Sequence, residues 1–140
     1  MVPQSIYHII LHCDYANNAW DRLYPTLDKL FNKAVTDEEK ALGIIHIRPT
    51  VGIRLRNWLT YKLREQILQF ERAGYHGASA IAPKLFKSKF NQSVAKEITN
   101  FMHRFNNEGK FAEFEKIFGY GNVLFHTIQE GEYRINKVFQ

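Results

Sequence analysis

One cysteine in 140 residues excludes an internal disulfide, and a chain without disulfides fits a reducing compartment. Prolines are few, and neither an internal repeat nor a low-complexity segment is present. Long apolar runs are missing as well. The longest near the start is Ile9 to Leu11, too short for a signal-peptide core, and no segment approaches the roughly 18 apolar residues of a membrane span. The expectation is a soluble, intracellular protein of nucleus or cytoplasm, with no membrane partner.

Catalytic signatures are lacking too. No Gly-rich phosphate loop, Walker motif or dinucleotide fingerprint occurs, and no G-x-S-x-G elbow or H-E-x-x-H. His46, His76, His103 and His126 stand singly, and Asp37, Glu38 and Glu39 have an electrostatic reason to sit at a helix N-terminus. The chain is expected not to be an enzyme by itself.

Acids are scarce in one place. Residues 48 to 96 hold ten Lys/Arg against two acids, Glu65 and Glu71, so this stretch carries +8 while the whole chain carries +5 and the remainder −3. Clustered cations raise the local potential and speed encounter with phosphates. A solvated helix face accounts for the same composition, and the charge count alone leaves both open.

What is present is globular: 45% hydrophobic and 24% charged residues, with eleven Phe, seven Tyr and two Trp. Length and composition predict one domain over 1–140, mainly α, of about five to six helices, with a β-hairpin tail at 120–140. Ser5 caps a short helix through His12, and Asp14 an amphipathic one carrying Trp20, Leu23, Leu27 and Leu30, which Pro25 is expected to bend or interrupt. Thr36 and Glu39 stand in capping-box relation, with Gly43 beyond the helix end. The longest candidate runs from Thr50 to Ala73. Its apolar side holds Val51, Leu55, Trp58, Leu59, Leu63 and Phe70, and Arg54, Asn57, Tyr61, Arg64 and Arg72 gather on another.

That second side can hold phosphates with its guanidiniums while Tyr61 stacks on an unpaired base. In the other arrangement Tyr61 tucks into the core and the arginines pair with Glu65 or Glu71. After the "GYHGASAIAPK" loop, Ser79 or Pro83 opens the next helix. A change of apolar phase predicts two helices meeting near Asn91 to Ser93, with Lys84, Lys87 and Lys89 on the shorter. "KFAEFEKIFG" is a further amphipathic turn or two, and "VLFHTIQEGEYRINKVF" alternates about an Glu-Gly-Glu turn as a hairpin does.

"YHIILHC" puts His8, His12 and Cys13 within six positions. His8-x4-Cys13 has the spacing of the second half of a four-ligand zinc site, but residues 1 to 7 contain no Cys or His to supply the first half. Cys13 beside His8 or His12 also imitates a thiol and its base, although a cysteine after an apolar run is more often a buried one.

Taken together, "IYHIILHCDYANNAWDRL" resembles the end of the cysteine-histidine motif near the C-terminus of the reverse-transcriptase polyproteins of non-LTR (LINE-type) retrotransposons. Those motifs close with His-x4-Cys, a Trp and then a Leu, matched by His8, Cys13, Trp20 and Leu23. "ALGI" at 41–44, the long helix, "APKLFKSKF", and a helix with Glu97 ending in "GKFAEFEKIF" follow in the family's order, so the likeness spans roughly residues 6 to 118. The two cysteines that precede the His in the family are absent, as are the polymerase and endonuclease domains. Residues 1–13 then stand as a remnant of the zinc element. The resemblance implies no cofactor for this chain alone, zinc only if completed by residues outside it, and a segment that helps hold template RNA or target DNA.

The expectation that follows is a nucleic-acid-binding accessory domain, favouring RNA or single strands, with Arg54, Arg56, Lys62, Arg64, Lys84, Lys87 and Lys89 on phosphates and Tyr61 stacking. The competing expectation is a helical module for protein interaction or self-association, meeting a second copy or the parent polyprotein's other domains. It predicts an exposed apolar patch.

Overall fold

The computed structural model describes residues 6–74, 81–129 and 132–140, the side chains at 6, 7 and 81 excepted. The expected cap Ser5, the loop positions His76 and Ser79, and the Glu130-Gly131 hairpin tip lie outside the described residues. Six helices lead into a two-stranded hairpin: α1 Ile6–His12, α2 Asp14–Leu30, α3 Asp37–Leu42, α4 Val51–Arg72, α5 Ile81–Asn107, α6 Phe111–Phe118, β1 Phe125–Gln129 and β2 Glu132–Ile135. Short 3₁₀ turns at Tyr120–Asn122 and Lys137–Phe139 flank the hairpin. The mainly α architecture with a C-terminal hairpin is the one the sequence predicts.

Helices α2, α4 and α5 pack on one another and form the centre. Tyr15 near the start of α2 lies 5.6 Å from Phe70 near the end of α4, so these two run antiparallel. Trp58 Nε1 donates to Glu97 Oε1 (3.1 Å), while Phe70 meets Phe86 at 5.0 Å, which makes α5 antiparallel to α4. The end of α2 and the start of α4 come very close: a Cβ on Gly52 would stand 2.1 Å from the Leu30 carbonyl oxygen. Only glycine allows that approach.

Local signals explain most boundaries. Thr50 caps α4 by accepting from the Ile53 N–H (3.2 Å), and Thr36 caps α3 by accepting from the Glu39 N–H (3.1 Å). The reciprocal arm of that capping box is diverted, because the Glu39 carboxylate turns inward to Arg56. Asp14 is the first residue of α2 and Cys13 its cap, one position from expectation. Pro25 does not interrupt α2, which continues to Leu30 with Trp20, Leu23, Leu27 and Leu30 buried. A proline inside a helix costs about 3 kcal/mol, and burying several large apolar side chains at roughly 1.5–3 kcal/mol each outweighs it.

The expected break at Asn91 to Ser93 does not occur, and α5 is one helix of 27 residues. Ala82, Phe86, Phe90, Val94 and Ile98, all buried, follow one another at four-residue steps. Such a ridge drifts about 40° per step around a helix of 3.6 residues per turn. That drift is the apparent change of phase. It turns α5 progressively toward α6, where Phe101 stacks on Phe118 at 4.9 Å.

A two-stranded hairpin is marginal alone, and this one is anchored. Phe114 of α6 is fully buried and lies parallel to Phe125 at 5.1 Å, and Phe125 in turn meets Tyr133 at 5.1 Å. Tyr133 OH and Thr99 Oγ1 share a 2.8 Å hydrogen bond. The register pairs Phe125 with Ile135 and Thr127 with Tyr133. No described helix is long and apolar enough to cross a membrane.

Candidate nucleic-acid interface

The basic middle of the chain does not face outward as one surface. Arg56 is fully buried on α4. Its Nε donates to Glu39 Oε2 (2.6 Å) and its Nη2 to Glu39 Oε1 (2.5 Å), while Nη1 donates to the carbonyls of Leu27 (3.2 Å) and Phe31. The guanidinium thus ties α3 and the end of α2 to α4 and reaches no solvent phosphate. The expectation of a phosphate contact at Arg56 is corrected accordingly. Its position on the helix explains why: counting 3.6 residues per turn, Arg56 falls about 20° from Leu63 and from Ile67, in the middle of the buried face.

Lys62 is corrected in the same way. It is 7% exposed and pairs with Glu97 at 2.6 Å and Glu65 at 3.5 Å. Burial pulls its pKa down, but the hydrogen bond and charge of Glu97, with Glu65 behind them, outweigh this and hold the ammonium above its ordinary value. Both interior cations are therefore neutralised by acids from the flanks, Glu39 before the basic stretch and Glu97 after it. Arg64 is half-buried and caps α3, donating from Nη1 to the Glu39 and Lys40 carbonyls at 3.2 Å each. Desolvation lowers its pKa against the raising influence of Glu39 and Tyr61.

The remaining predicted residues are exposed but divided. Arg54 and Tyr61 share the outer stripe of α4 with Glu65, whose carboxylate accepts from Tyr61 OH at 3.2 Å. Tyr61 is not in the core, being 54% exposed. Lys89 borders α4 beside Gln66, Gln69 and Phe70. Lys84 and Lys87 lie on the other side of α5, about 140° and 160° round from Lys89. Among the described residues no ion pair engages Arg54, Lys84, Lys87 or Lys89.

No protein-family model, curated protein or solved structure matches this chain.

Lys84 and Lys87 open onto a groove of about 380 Å³ between α5 and the C-terminal 3₁₀ turn. Ser88, Gln92 and Gln140 add polar groups to its walls and Phe139 an apolar one. At its floor Asn91, 5% exposed, donates from Nδ2 to the Gln140 carbonyl (3.1 Å), and its Oδ1 accepts from no group among the described residues. Such orphaned buried acceptors are scarce in native interiors. Two cations without acids, hydrogen-bonding side chains and an apolar wall can hold phosphates and cover a flat ring. Sequence reasoning had Lys84 and Lys87 but missed the C-terminal wall, because nothing local in "NKVFQ" says that it folds back onto α5.

The predicted zinc half-site is split by burial. His8 is exposed and its ring centre lies 5.0 Å from that of His12, whereas Cys13 is 6% exposed in the junction between α1 and α2. Burial raises the Cys13 thiol pKa, with Tyr15 hydrogen bonding working against it and the charges of Glu71 and Asp14 adding to it. Among the described residues no group of three or more His, Cys, Asp or Glu is placed to hold a metal.

Proposed function

We propose that this chain is a non-catalytic accessory domain that binds RNA or single-stranded nucleic acid through phosphates, in the manner expected of the C-terminal segment of a retrotransposon reverse transcriptase. The observation that carries the reading is the groove lined by Lys84 and Lys87, whose ammonium groups have no acidic partner among the described residues. Arg54 and Tyr61 on α4 form a secondary contact on a different face. The test is an electrophoretic shift assay with single- and double-stranded RNA and DNA at two salt concentrations. Log affinity falls with log salt by roughly 0.7 to 0.9 per phosphate contact, and Lys84→Gln with Lys87→Gln weakens binding more than Arg54→Gln with Tyr61→Ala. Binding indifferent to salt, or untouched by the lysine pair, refutes the proposal.

A second reading, the helical interaction module, is favoured by the end of α3 and the loop that follows it. Leu42, Ile45 and Ile47 are 66%, 87% and 97% exposed. The loop is nevertheless held at its base: Asn57 accepts from the Ile44 N–H (2.7 Å) and donates to the Ile44 carbonyl (2.9 Å). Gly43, with φ 83° and ψ 179°, makes the turn into it, a conformation essentially confined to glycine. Burying each isoleucine against a partner would release roughly 1.5–3 kcal/mol. Mass measurement over a range of concentrations tests this: self-association that Ile45→Ser with Ile47→Ser abolishes supports it, and a monomer at all concentrations refutes self-association through this loop.

A further inference from the structure

On the other side of the C-terminal turn a second groove, of about 330 Å³, opens between α2 and the residues around the hairpin. Arg22, Thr26 and Lys29 line it from α2. Their spacing of four and three residues puts them on one face. Asp21 and Asp28 lie about 100° to 120° round the helix from Arg22, and neither lines the groove. The opposite wall is fixed: Asn136 donates from Nδ2 to the carbonyls of Asn122 (2.6 Å) and Val123 (2.7 Å), and its Oδ1 pairs with His126 Nδ1 at 3.0 Å.

Arg22 differs from every other partly buried cation of the described residues. Arg56 and Lys62 are matched by carboxylates, half-buried Lys40 lies 4.0 Å from Asp37, and Arg64 is matched by two carbonyls, but Arg22 is half-buried without a hydrogen bond or ion pair to any described residue. Burial lowers its pKa and no neighbouring acid opposes the shift. Thr26 is 7% exposed, and its hydroxyl also has no hydrogen-bond partner among the described residues. A guanidinium taken partly out of water calls for an anion. Its planar fork matches two phosphate oxygens, and a hydroxyl beside it supplies a third donor.

We propose that this groove is a phosphate-binding site, with Arg22 as the bidentate donor, Thr26 the third hydrogen bond, and Lys29 the outer charge. The inference deepens the nucleic-acid reading and rests on it for the source of the phosphate. Val138 lines this groove and Phe139 the groove of Lys84 and Lys87, and consecutive Cα atoms are only about 3.8 Å apart. The two grooves therefore flank one turn, with exposed Lys137 on it. A strand crossing the turn meets Arg22, Lys29, Lys137, Lys84 and Lys87 in one footprint, none of the first three lying in the basic middle of the sequence.

The experiment compares the intact protein with Arg22→Gln, with Thr26→Val, and with the Lys84→Gln, Lys87→Gln pair. It uses two probes, a single-stranded RNA 20-mer and inorganic phosphate, with thermal unfolding recorded alongside. Arg22→Gln is expected to weaken RNA binding about tenfold, to lower the salt slope by about 0.7, and to abolish stabilisation by millimolar phosphate. Thr26→Val, which keeps the volume, should weaken binding about threefold. In phosphate-free buffer Arg22→Gln should melt at the same or a higher temperature, because it removes an unmatched charge; a merely structural arginine would do the reverse. Unchanged RNA affinity and phosphate response in Arg22→Gln overturn the inference even if the lysine pair weakens RNA binding, which leaves the nucleic-acid reading intact. Phosphate stabilisation lost in Arg22→Gln, without RNA binding by the intact protein, upholds the site and assigns it to free phosphate, and the nucleic-acid reading then fails.

Discussion

Replacing Glu39 by Gln tests the interior charge network most directly. The change keeps shape and volume, so no cavity confounds it, but it leaves the fully buried Arg56 guanidinium with two backbone carbonyls and one amide oxygen, no carboxylate, and an NH2 group facing one of its own N–H donors. Breaking a buried pair by removing one partner costs about 3–5 kcal/mol. For a domain of this size that lowers Tm by roughly 10–15 °C. The urea midpoint should fall in proportion with the slope unchanged, followed by circular dichroism at 222 nm. Replacing both partners, Glu39→Leu with Arg56→Met, removes the stranded charge but abandons the Leu27 and Phe31 carbonyls, so the double variant should be more stable than Glu39→Gln yet below the parent. The two effects must therefore be strongly non-additive. A loss under about 1 kcal/mol for Glu39→Gln, the range of an exposed pair, would refute the reasoning and return Arg56 to the surface.

Phe114→Ala should cost about 3–5 kcal/mol, since its ring is fully buried between Phe118 and Phe125; near-parent stability in urea would show that the hairpin does not depend on α6. Gly52→Ala should cost at least 2 kcal/mol, roughly the upper range of an overpacked site, because its Cβ meets the Leu30 backbone oxygen, and an unchanged Tm would contradict the close approach. Stability should also be alkali-sensitive. Lys62 is raised by Glu97 and Glu65 against burial, and Tyr15 is raised by burial and by its neighbours Cys13 and Glu71. Both groups contribute stability that is fully present below their unfolded values, near 10.4 for the lysine and 10 for the tyrosine, and lost as pH climbs beyond these toward the folded values. Urea midpoints should hold from pH 7 to 9 in this respect and drop above 10, less so in Glu97→Gln; a flat profile to pH 11 counts against it. Cys13, 6% exposed, should label with a thiol reagent far more slowly in the native than in the urea-unfolded protein; rapid native labelling would revive a nucleophilic role.

Where physics is local, the sequence was a good guide. The capping threonines, the glycine stops and the periodic leucines of α2 and α4 each act within a few residues, and they set the helices nearly where expected. The hairpin followed from alternation alone. What the sequence hid were pairings across long separations. Nothing near Arg56 announces that Glu39, 17 residues earlier, will neutralise it, although its place between Leu63 and Ile67 on the helix was a warning. Lys62 likewise finds Glu97 only once α4 and α5 lie antiparallel. Counting charge along the chain therefore overstated the outward positive surface of α4. It also overlooked Arg22 and Lys137, which lie in acid-rich segments and meet Lys84 and Lys87 only through the fold.

Helix α3 has six residues, far below the length at which a helix holds itself in water. Two arginines of α4 grip it from the side, Arg56 at the Glu39 carboxylate and Arg64 at the Glu39 and Lys40 carbonyls. The segment from Thr36 to Ile44 is thus ordered by α4 and should exchange its amide protons only when that helix lets go. A partner that reaches Ile45 and Ile47 would find their anchorage already frozen, and would surrender less disorder on binding than a loose loop demands.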